Sequence, residues 1–300
     1  MNTQLKYLAY AVAVTLSSSA IVAYADEDGE ESEPLSEAQL YFELNDTDGD
    51  LGIHGKADGD AWRKLRIEGP NDEVLLDIKV KGMMRSQGLT ELFFESAEPK
   101  FDELSPDEFF LRFPEGEYEI EAKTLDGEEL EGEVALSHVI PAAPDGIELT
   151  YSMECLDELE PDDEGECEVT SELPSAEFEM DDEGDFELVC VELEGVLEPE
   201  VTISWEAVTM SHFAKGTTAP HGLHLGKDGD ISVVHYEVVI ETETEDELEV
   251  VSKTLLPPDA TSFEFPDEIM ALSEEFKFEI LVRDENGNQS ATEGCFEFAE

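Results

Sequence analysis

Positively charged side chains are scarce in this sequence. Lysine and arginine together number 16, against 78 aspartates and glutamates, so the formal net charge is -62 at pH 7. Such a surface cannot neutralise phosphates, which excludes nucleic-acid binding and disfavours anionic membrane surfaces. Repulsion on this scale destabilises a compact state in dilute buffer. High salt, which shortens the Debye length to about 3 Å at 1 M, or bound divalent cations would relieve it, and the charge balance favours a saline habitat.

Long apolar runs are absent beyond the N-terminus, so no later segment is expected to span a membrane. At the N-terminus, Lys6 precedes the apolar run Leu8–Leu16, and Ala23–Ala25 provides a small-x-small cleavage site. This pattern predicts a secretory signal peptide over residues 1–25. An uncleaved anchor is the weaker alternative, because a spanning helix needs about 20 apolar residues. The chain is therefore expected to be secreted or periplasmic, without membrane insertion after signal cleavage.

Cysteine is limited to four residues, all in the second half of the chain: Cys155, Cys167, Cys190 and Cys295. In an exported chain an even number favours disulfides over free thiols, and four cysteines allow three pairings. The preferred pairing joins Cys155 to Cys167 across a local loop. Cys190 and Cys295 would then tie the start of the last domain to its final strand. A zinc site is the weaker alternative, because no C-x2-C spacing occurs.

Recognisable catalytic motifs are missing as well. The sequence contains no G-x-S-x-G, H-E-x-x-H or P-loop pattern. Paired carboxylates act as acid and base in glycosidases, but in so acidic a chain their presence carries no information. The two tryptophans, Trp62 and Trp205, are assigned to hydrophobic cores rather than to a binding platform. No catalytic residue is predicted, and a non-enzymatic function is favoured.

Alternating apolar and polar side chains are the main structural signal, and a hydrophobic content of 40% argues against a chain that is disordered throughout. The alternation begins at Leu40–Leu44 and is typical of half-buried strands. We expect a β-sandwich-like domain over residues 38–144, preceded by an acidic disordered leader over residues 26–37. Inside this domain, a capping box over Ser105–Glu108, with Pro106 at the first helical position, predicts a short helix.

The middle of the chain has the least clear strand pattern. Residues 145–194 are rich in aspartate and glutamate and contain three of the cysteines, which predicts an acidic, disulfide-braced segment; a small third domain is the alternative. Just before it, Val134–Pro144, taken with Phe94–Pro99, resembles an uncharacterised family of exported bacterial proteins. That resemblance implies no activity.

The last third, residues 195–300, has the clearest strand pattern. Apolar side chains alternate around Trp205, again over Val234–Ile240, and again over Phe276–Val282. This part resembles a fibronectin type III domain, in which a core Trp lies on the second strand and an aromatic residue begins the penultimate strand. The resemblance implies an immunoglobulin-like β-sandwich, so we expect tandem sandwiches with the acidic segment inserted between them. Because the shared motifs are packing motifs, they imply nothing specific about function.

A candidate cation site lies early in the chain. Asp46, Asp48 and Asp50 alternate in a turn with Gly49, and the residues that follow include His54, Asp58 and Asp60. Carboxylates in this arrangement can converge on Ca2+, although the glycine and the acid of an EF-hand are not at their required positions. An Asp-Gly turn without a metal is the alternative.

A second candidate is the loop between Met210 and Gly229, which is long for a fibronectin type III domain. Histidines and carboxylates concentrate in or near it: His212, His221, His224, Asp228 and Asp230. His-x2-His with a carboxylate can ligate zinc, but a solvated surface loop is favoured. Long loops on rigid scaffolds are common binding sites, so this loop is the predicted partner surface.

Three functions from different classes remain open at this stage. The leading hypothesis is a non-enzymatic exported binding or spacer protein whose partner is an extracellular or periplasmic protein or glycan. The second is a cell-surface or matrix structural protein stabilised by Ca2+. The third is a hydrolase that uses carboxylates without a recognisable motif.

Overall fold

The structure is a computed structural model of the chain. It describes residues 32–154, 166–172, 178–180, 186–193, 196–216, 222–244 and 246–299. The predicted signal peptide and the Cys155–Cys167 bridge fall outside the described parts of the chain. Within them, no helix is long and apolar enough to cross a membrane.

The first half of the chain folds around one hydrophobic core. Its strands are β1 (Glu33–Pro34), β2 (Glu37–Asn45), β3 (Asp50–Glu68), β4 (Val74–Lys79), β5 (Leu89–Glu95), β6 (Gly116–Thr124) and β7 (Glu129–Leu136), with a 3-10 turn over Gly82–Ser86. β3 is long because each half has its own neighbours: the first half pairs with β2 and β5, and the second with β6 and β4. The register shifts between Asp58 and Trp62, and a bulge of this kind bends a strand. Trp62 is fully buried in the core beyond this bend, together with Phe42 and Tyr118.

The predicted helix is confirmed as α1 (Pro106–Arg112). The Oγ atom of Ser105 accepts a hydrogen bond from the Glu108 amide at 3.4 Å, and Pro106 occupies the first turn. Phe109 and Phe110 are buried against the core. The capping residues fix where the helix begins, and the aromatic pair fixes which face it buries.

The prediction of a disordered leader over residues 26–37 is wrong for its last residues. Glu33 and Pro34 pair in parallel with Leu130 and Glu131 of β7. Leu35 packs against the core, and its side chain fits where Gly59 and Gly132 carry no side chain of their own. One apolar residue in an acidic stretch was enough to anchor the segment because two glycines provide the space for it.

The second half of the chain forms a two-sheet sandwich. Its strands are β8 (Glu148–Glu154), β9 (Glu166–Glu172), β12 (Val191–Leu193), β13 (Val196–Ser204), β14 (Val233–Glu243), β15 (Glu249–Leu256), β16 (Ser262–Glu264), β17 (Glu275–Asp284) and β18 (Gln289–Phe298), with the short helices α2 (His212–Lys215) and α3 (Asp267–Met270). Two further strands, β10 (Phe178–Met180) and β11 (Phe186–Leu188), pair with each other as a separate sheet. One sheet has the order β16-β13-β8-β9, and the facing sheet contains β18-β17-β14-β15. The predicted mainly β, sandwich-type fold is confirmed.

The residues expected to form the core of this sandwich do so. Trp205 is buried at the end of β13, and its ring centroid lies 5.5 Å from that of Tyr236 on β14. Phe276 begins β17, the penultimate strand, and its ring stacks on Phe296 at 5.3 Å. The two sheets bury these side chains between them, which is why one face of each strand is apolar.

Part of the segment 145–194 belongs to this sandwich. β8 pairs antiparallel with β13, and its Leu149 is fully buried in the same core as Trp205. β12 pairs in parallel with β18. The alternation of Ile147, Leu149 and Tyr151 is the sequence pattern that indicates strand β8. The many acidic residues around it make this pattern hard to recognise.

The predicted disulfide between Cys190 and Cys295 is confirmed. It joins the residue before β12 to β18, with a Cα–Cα distance of 4.6 Å and a sequence separation of 105. A bridge that closes so long a loop restricts the unfolded chain strongly.

The two halves are joined by a strand pair that the sequence did not predict. β2 and β18 pair in parallel, with Glu43 opposite Gln289 and Asn45 opposite Ala291. One continuous sheet therefore runs β1-β7-β6-β3-β2-β18-β17-β14-β15 through both halves. Periodicity identifies strands but not which strands pair edge to edge, so this joint was not visible in the sequence.

Side chains of β18 and of the turn before it also hold the connection between the halves, residues 137–144. The amide group of Asn288 donates to the carbonyl oxygens of Ser137 and Val139, both at 2.8 Å, and its Oδ1 accepts from the Phe42 amide at 2.8 Å. The hydroxyls of Ser290 and Thr292 continue the series, donating to the carbonyls of Pro141 (2.7 Å) and Pro144 (2.6 Å). These bonds satisfy backbone groups that would otherwise be buried without partners.

Replacing Asn288 with alanine should destabilise the whole chain. Three hydrogen bonds of about 1 kcal/mol each are lost, giving about 3 kcal/mol in the free energy of unfolding, measured by urea denaturation. Asn286→Ala is the matched control, because among the described residues its side chain bonds to Asp284 in the same turn and not to the connection between the halves. Equal losses in the two variants would contradict the role given to Asn288.

Candidate functional site

Described residues of the long loop after β13 contact the first half of the chain, although much of the loop is also exposed to solvent. Leu225 is 2% exposed and belongs to the core of that half. The Lys227 amide donates to the carbonyl of His138 at 2.9 Å, and Gly226, at φ +68, lies so close to the same carbonyl that a Cβ could not fit. The described parts of the loop, residues 206–216 and 222–232, therefore act as a strap against the first core.

The polar residues predicted to form a binding cluster in this loop are dispersed. His212 is fully buried, and its Nε2 lies 3.2 Å from Oδ1 of Asp46. The Nδ1 of His224 lies 2.7 Å from the carbonyl of Phe213, and Asp228 accepts from the Ser211 hydroxyl at 3.3 Å. Asp230 is exposed, and His221 lies outside the described residues. Within the described part of the loop, no group of metal-ligating atoms forms.

The candidate calcium turn is the hairpin turn between β2 and β3. Asn45 and Asp50 pair across it, and Gly49, at φ +70, donates its amide to the Asn45 carbonyl at 2.9 Å. Asp46 turns inward to His212, and among the described residues the carboxylates of Asp46, Asp48 and Asp50 do not form a metal-ligand group. The turn-forming property of Asp-Gly accounts for this geometry, and Ca2+ binding here stays a prediction.

A cavity of about 230 Å³ lies on the outer face of the joined sheet. Strands from both halves contribute to it, and most of the lining side chains are charged or polar: Tyr41, Glu43, His54, Phe93, Glu95, His235, Glu237, Lys253, Glu279, Leu281, Arg283 and Gln289. These residues alternate along their strands with core residues, so they point to the opposite face of the sheet. Because β2 pairs with β18, the cavity spans the joint between the halves.

Glu43, His54 and Glu98 form a compact group at one side of this cavity. His54 is 3% exposed. Its Nε2 lies 2.9 Å from Oε1 of Glu98, and its Nδ1 lies 3.6 Å from Oε2 of Glu43. One ligating atom from each of the three residues lies within 4.8 Å of the others, and this is the metal-ligand group found in the described parts of the chain.

The position of Glu98 depends on Gly52. A Cβ at residue 52 would lie 2.2 Å from Oε1 of Glu98, so a side chain there would displace the carboxylate. Gly52 pairs with Glu43 across the β2–β3 hairpin, which sets Glu43 beside the same space. His54 stood out in the sequence beside the aspartates, but its partner Glu98 is 44 residues away, and no local pattern connects them.

Crowded carboxylates and burial shift the pKa values of several side chains in this region. Burial raises the pKa of Glu43 despite the nearby His54. Burial lowers the pKa of His54, but the hydrogen bond to Glu98 and the charges of Glu43 and Glu98 outweigh it, so the net pKa is raised. Burial and the Glu98 charge raise the pKa of Asp50 to about 7. The joined face thus holds more negative charge than its own side chains neutralise.

Glu279, on β17 in the cavity, is a strongly perturbed carboxyl of this face. Burial, followed by the charges of Glu43 and Glu293, raises its pKa to about 8. Glu293 lies directly opposite it on β18, and like charges in this position repel. The sequence shows that both residues point outward from alternating strands, but only the register reveals that they face each other.

Comparisons with known proteins give no family. No protein-family model matches the chain, and no curated protein matches it. Among solved structures, the chicken CNTN1 FN1-FN3 domains are 8% identical with a TM-score of 0.28, over 89% of this chain and 69% of that one. A tetra-tandem repeat from the extending region of a large adhesion protein is 12% identical with a TM-score of 0.16, over 87% and 74%. A 1.5-MDa bacterial ice-binding adhesin is 11% identical with a TM-score of 0.22, over 89% and 65%. At these TM-scores the likenesses carry no argument about function.

The raised pKa of Glu279 predicts a pH dependence of stability. Between the ordinary pKa of a glutamate and about pH 8, the folded state holds a proton that the unfolded state has lost. The free energy of unfolding therefore falls as pH rises through this window. Glu279→Gln should reduce this fall without abolishing it, because Glu43, Asp50 and Glu293 also have raised pKa values. Tm at pH 8 should rise by about 2 °C or more, and by less at pH 5. The matched control is Glu249→Gln, an exposed residue at the start of β15. A Glu279→Gln variant with the wild-type pH profile would contradict the prediction.

Proposed function

We propose that this chain is an exported, non-enzymatic spacer and binding module that transmits tension between its two ends. Export is supported by the signal-peptide pattern of residues 1–25 and by the disulfide between Cys190 and Cys295, a bond that persists in oxidising compartments. The observation that carries the spacer role is the parallel pairing of β2, near the start of the described chain, with β18, at its end.

The direction of the two strands decides how this joint responds to force. Tension on the N-terminal side pulls β2 backwards along its axis, and tension on the C-terminal side pulls β18 forwards. Interstrand hydrogen bonds lie across the strand axis, so this pull shears all of them together rather than opening them one at a time. Bonds loaded together resist a given force better than bonds loaded in sequence.

Contacts beside the strand pair lie under the same shear. The Asp46 amide donates to the Ala291 carbonyl at 3.0 Å, and the Glu293 amide donates to Oγ1 of Thr47 at 2.8 Å. On the other side of the overlap, the Phe42 amide donates to Asn288. The joint therefore extends from residue 42 to residue 47 on one side and from residue 288 to residue 293 on the other.

The binding role is proposed for the cavity on the joined sheet face. Tyr41 and Phe93 offer aromatic surface there, and four glutamates offer hydrogen-bond acceptors. Such a lining suits an extracellular or periplasmic protein or glycan that presents hydroxyl or cationic groups. This placement moves the proposed partner surface from the strap to the sheet face, because the strap is occupied in covering the first core.

A calcium-stabilised structural protein is the second candidate. It is supported by the raised pKa values of Asp50, Glu279 and Glu293, all half-buried carboxyls on one face. Cations near this face would relieve the repulsion. Melting in CaCl2 and in NaCl at matched ionic strength separates the two: a larger rise in Tm with CaCl2 supports this candidate, and equal rises reflect screening alone.

Single-molecule stretching through the two chain ends tests the spacer proposal. Thr47→Val removes the acceptor for the Glu293 amide and should lower the mean unfolding force. Ile120→Val is the control, since it costs a similar free energy of unfolding, about 1 kcal/mol, in a core strand that does not contact β18. Two separate low-force unfolding events that do not respond to Thr47→Val would overturn the proposal.

A further inference from the structure

We propose that Glu43, His54 and Glu98 bind a divalent transition-metal cation, with Zn2+ as the expected ion. This inference does not depend on the spacer role, because it concerns residues of the first half and a ligand rather than the mechanical joint. The three side chains come from β2, from β3 and from the segment after β5. No single stretch of sequence contains the site.

The geometry of the group fits a small cation after minor side-chain movement. Zinc binds imidazole nitrogen at about 2.0 Å and carboxylate oxygen at about 2.0 to 2.2 Å, so ligand atoms around it lie about 3.3 Å apart in a tetrahedral arrangement. The ligand atoms here already lie within 4.8 Å of one another. The two glutamates now lie beside different ring nitrogens of His54, so metal binding would require one of them to turn towards the nitrogen that ligates the ion.

The segment that carries Glu98 is held in place on both sides. Before it, Ser96 and Ile53 exchange two hydrogen bonds: the Ile53 amide donates to the Ser96 hydroxyl at 3.0 Å, and the Ser96 amide donates to the Ile53 carbonyl at 3.1 Å. After it, the Phe101 amide donates to the Gly49 carbonyl at 2.9 Å. With Gly52 leaving the space open beneath it, Glu98 is directed towards His54 by the backbone rather than by its own flexibility.

Neighbouring groups support a cation in this place. The side-chain amide of Gln289 donates to Oε2 of Glu43, and hydrogen bonds of this kind orient metal-ligating carboxylates. Asp50 has a buried Oδ1 atom without a hydrogen-bond partner among the described residues, and the Glu98 charge acts on it. An added positive charge would compensate both carboxylates.

The ligand types select the ion. Imidazole suits zinc and other transition metals, whereas Ca2+ takes six to eight oxygen ligands. Three protein ligands are a common set for zinc sites that keep one position open. Glu43 and His54 also line the cavity, so that open position would face it and would be filled by water or by an oxygen atom of a ligand.

The competing interpretation is a protonated His54 held between two carboxylates with no metal. It uses the same contacts, but it predicts no saturable metal binding. A measurement on the mature, disulfide-bonded chain separates the two interpretations. Because a net charge of -62 attracts any cation, the measurement is made in about 1 M NaCl, where charges are screened beyond about 3 Å, with Mg2+ in excess.

Cobalt serves as the spectroscopic probe under these conditions. Co2+ should give a visible absorption band that saturates at one ion per chain and is displaced by Zn2+ but not by Ca2+. Glu43→Gln and Glu98→Gln should each weaken Zn2+ binding at least about 10-fold, while both amides can still hydrogen-bond to His54. Glu95→Gln is the matched control, since Glu95 lines the same cavity but is not in the group, and it should weaken Zn2+ binding far less than either ligand variant.

Two results would overturn the proposal. Failure of the wild-type chain to bind Zn2+ or Co2+ saturably at high salt would leave the protonated His54 as the explanation of the contacts. Equal weakening by Glu95→Gln and Glu98→Gln would assign the binding to general negative charge. Near-ultraviolet circular dichroism of each variant checks that the chain is folded, and either of the two ligand variants is sufficient for the comparison.

Discussion

The parallel pairing of β2 with β18 is the constraint on which the rest of this structure depends. It makes one sheet out of two and sets Glu43 beside Gln289, so the outer faces of both halves form a single surface. The cavity exists because of this shared surface. On the inner side, Asn288 and its neighbours on β18 hold the connecting segment, which keeps the two cores in a fixed relation.

Negative charge shapes this shared surface. Most of the 78 acidic residues can remain hydrated, where their repulsion is screened by salt. Three glutamates cannot remain fully hydrated: Glu43, Glu279 and Glu293. The joint places them on the half-buried face of a wide sheet, where burial raises their pKa values. A sheet face that accumulates carboxyls in this way lowers the stability of the apo protein and favours any cation that binds there. The same feature therefore underlies both the predicted pH dependence and the proposed metal affinity.

Local features of the sequence predicted local features of the structure. Alternation identified the sandwich strands, the Ser105 capping box identified α1, and the pairing of Cys190 with Cys295 was the preferred one. The errors concern contacts over long separations. Nothing in the sequence around Leu35 indicates that this segment pairs with β7. The alternation in β8 is hard to recognise among the acidic residues around it. The site itself could not be predicted, because Glu98 meets His54 only after β5 has paired with β3.

The strap has a consequence for biosynthesis. Leu225 completes the core of the first half, and β18 supplies the neighbour of β2, so the N-terminal part cannot finish folding while it leaves the ribosome. Its apolar surface must stay exposed until β18 has been made. This order of folding agrees with the proposed export, by a route that carries proteins across the membrane unfolded and lets them fold only after arrival.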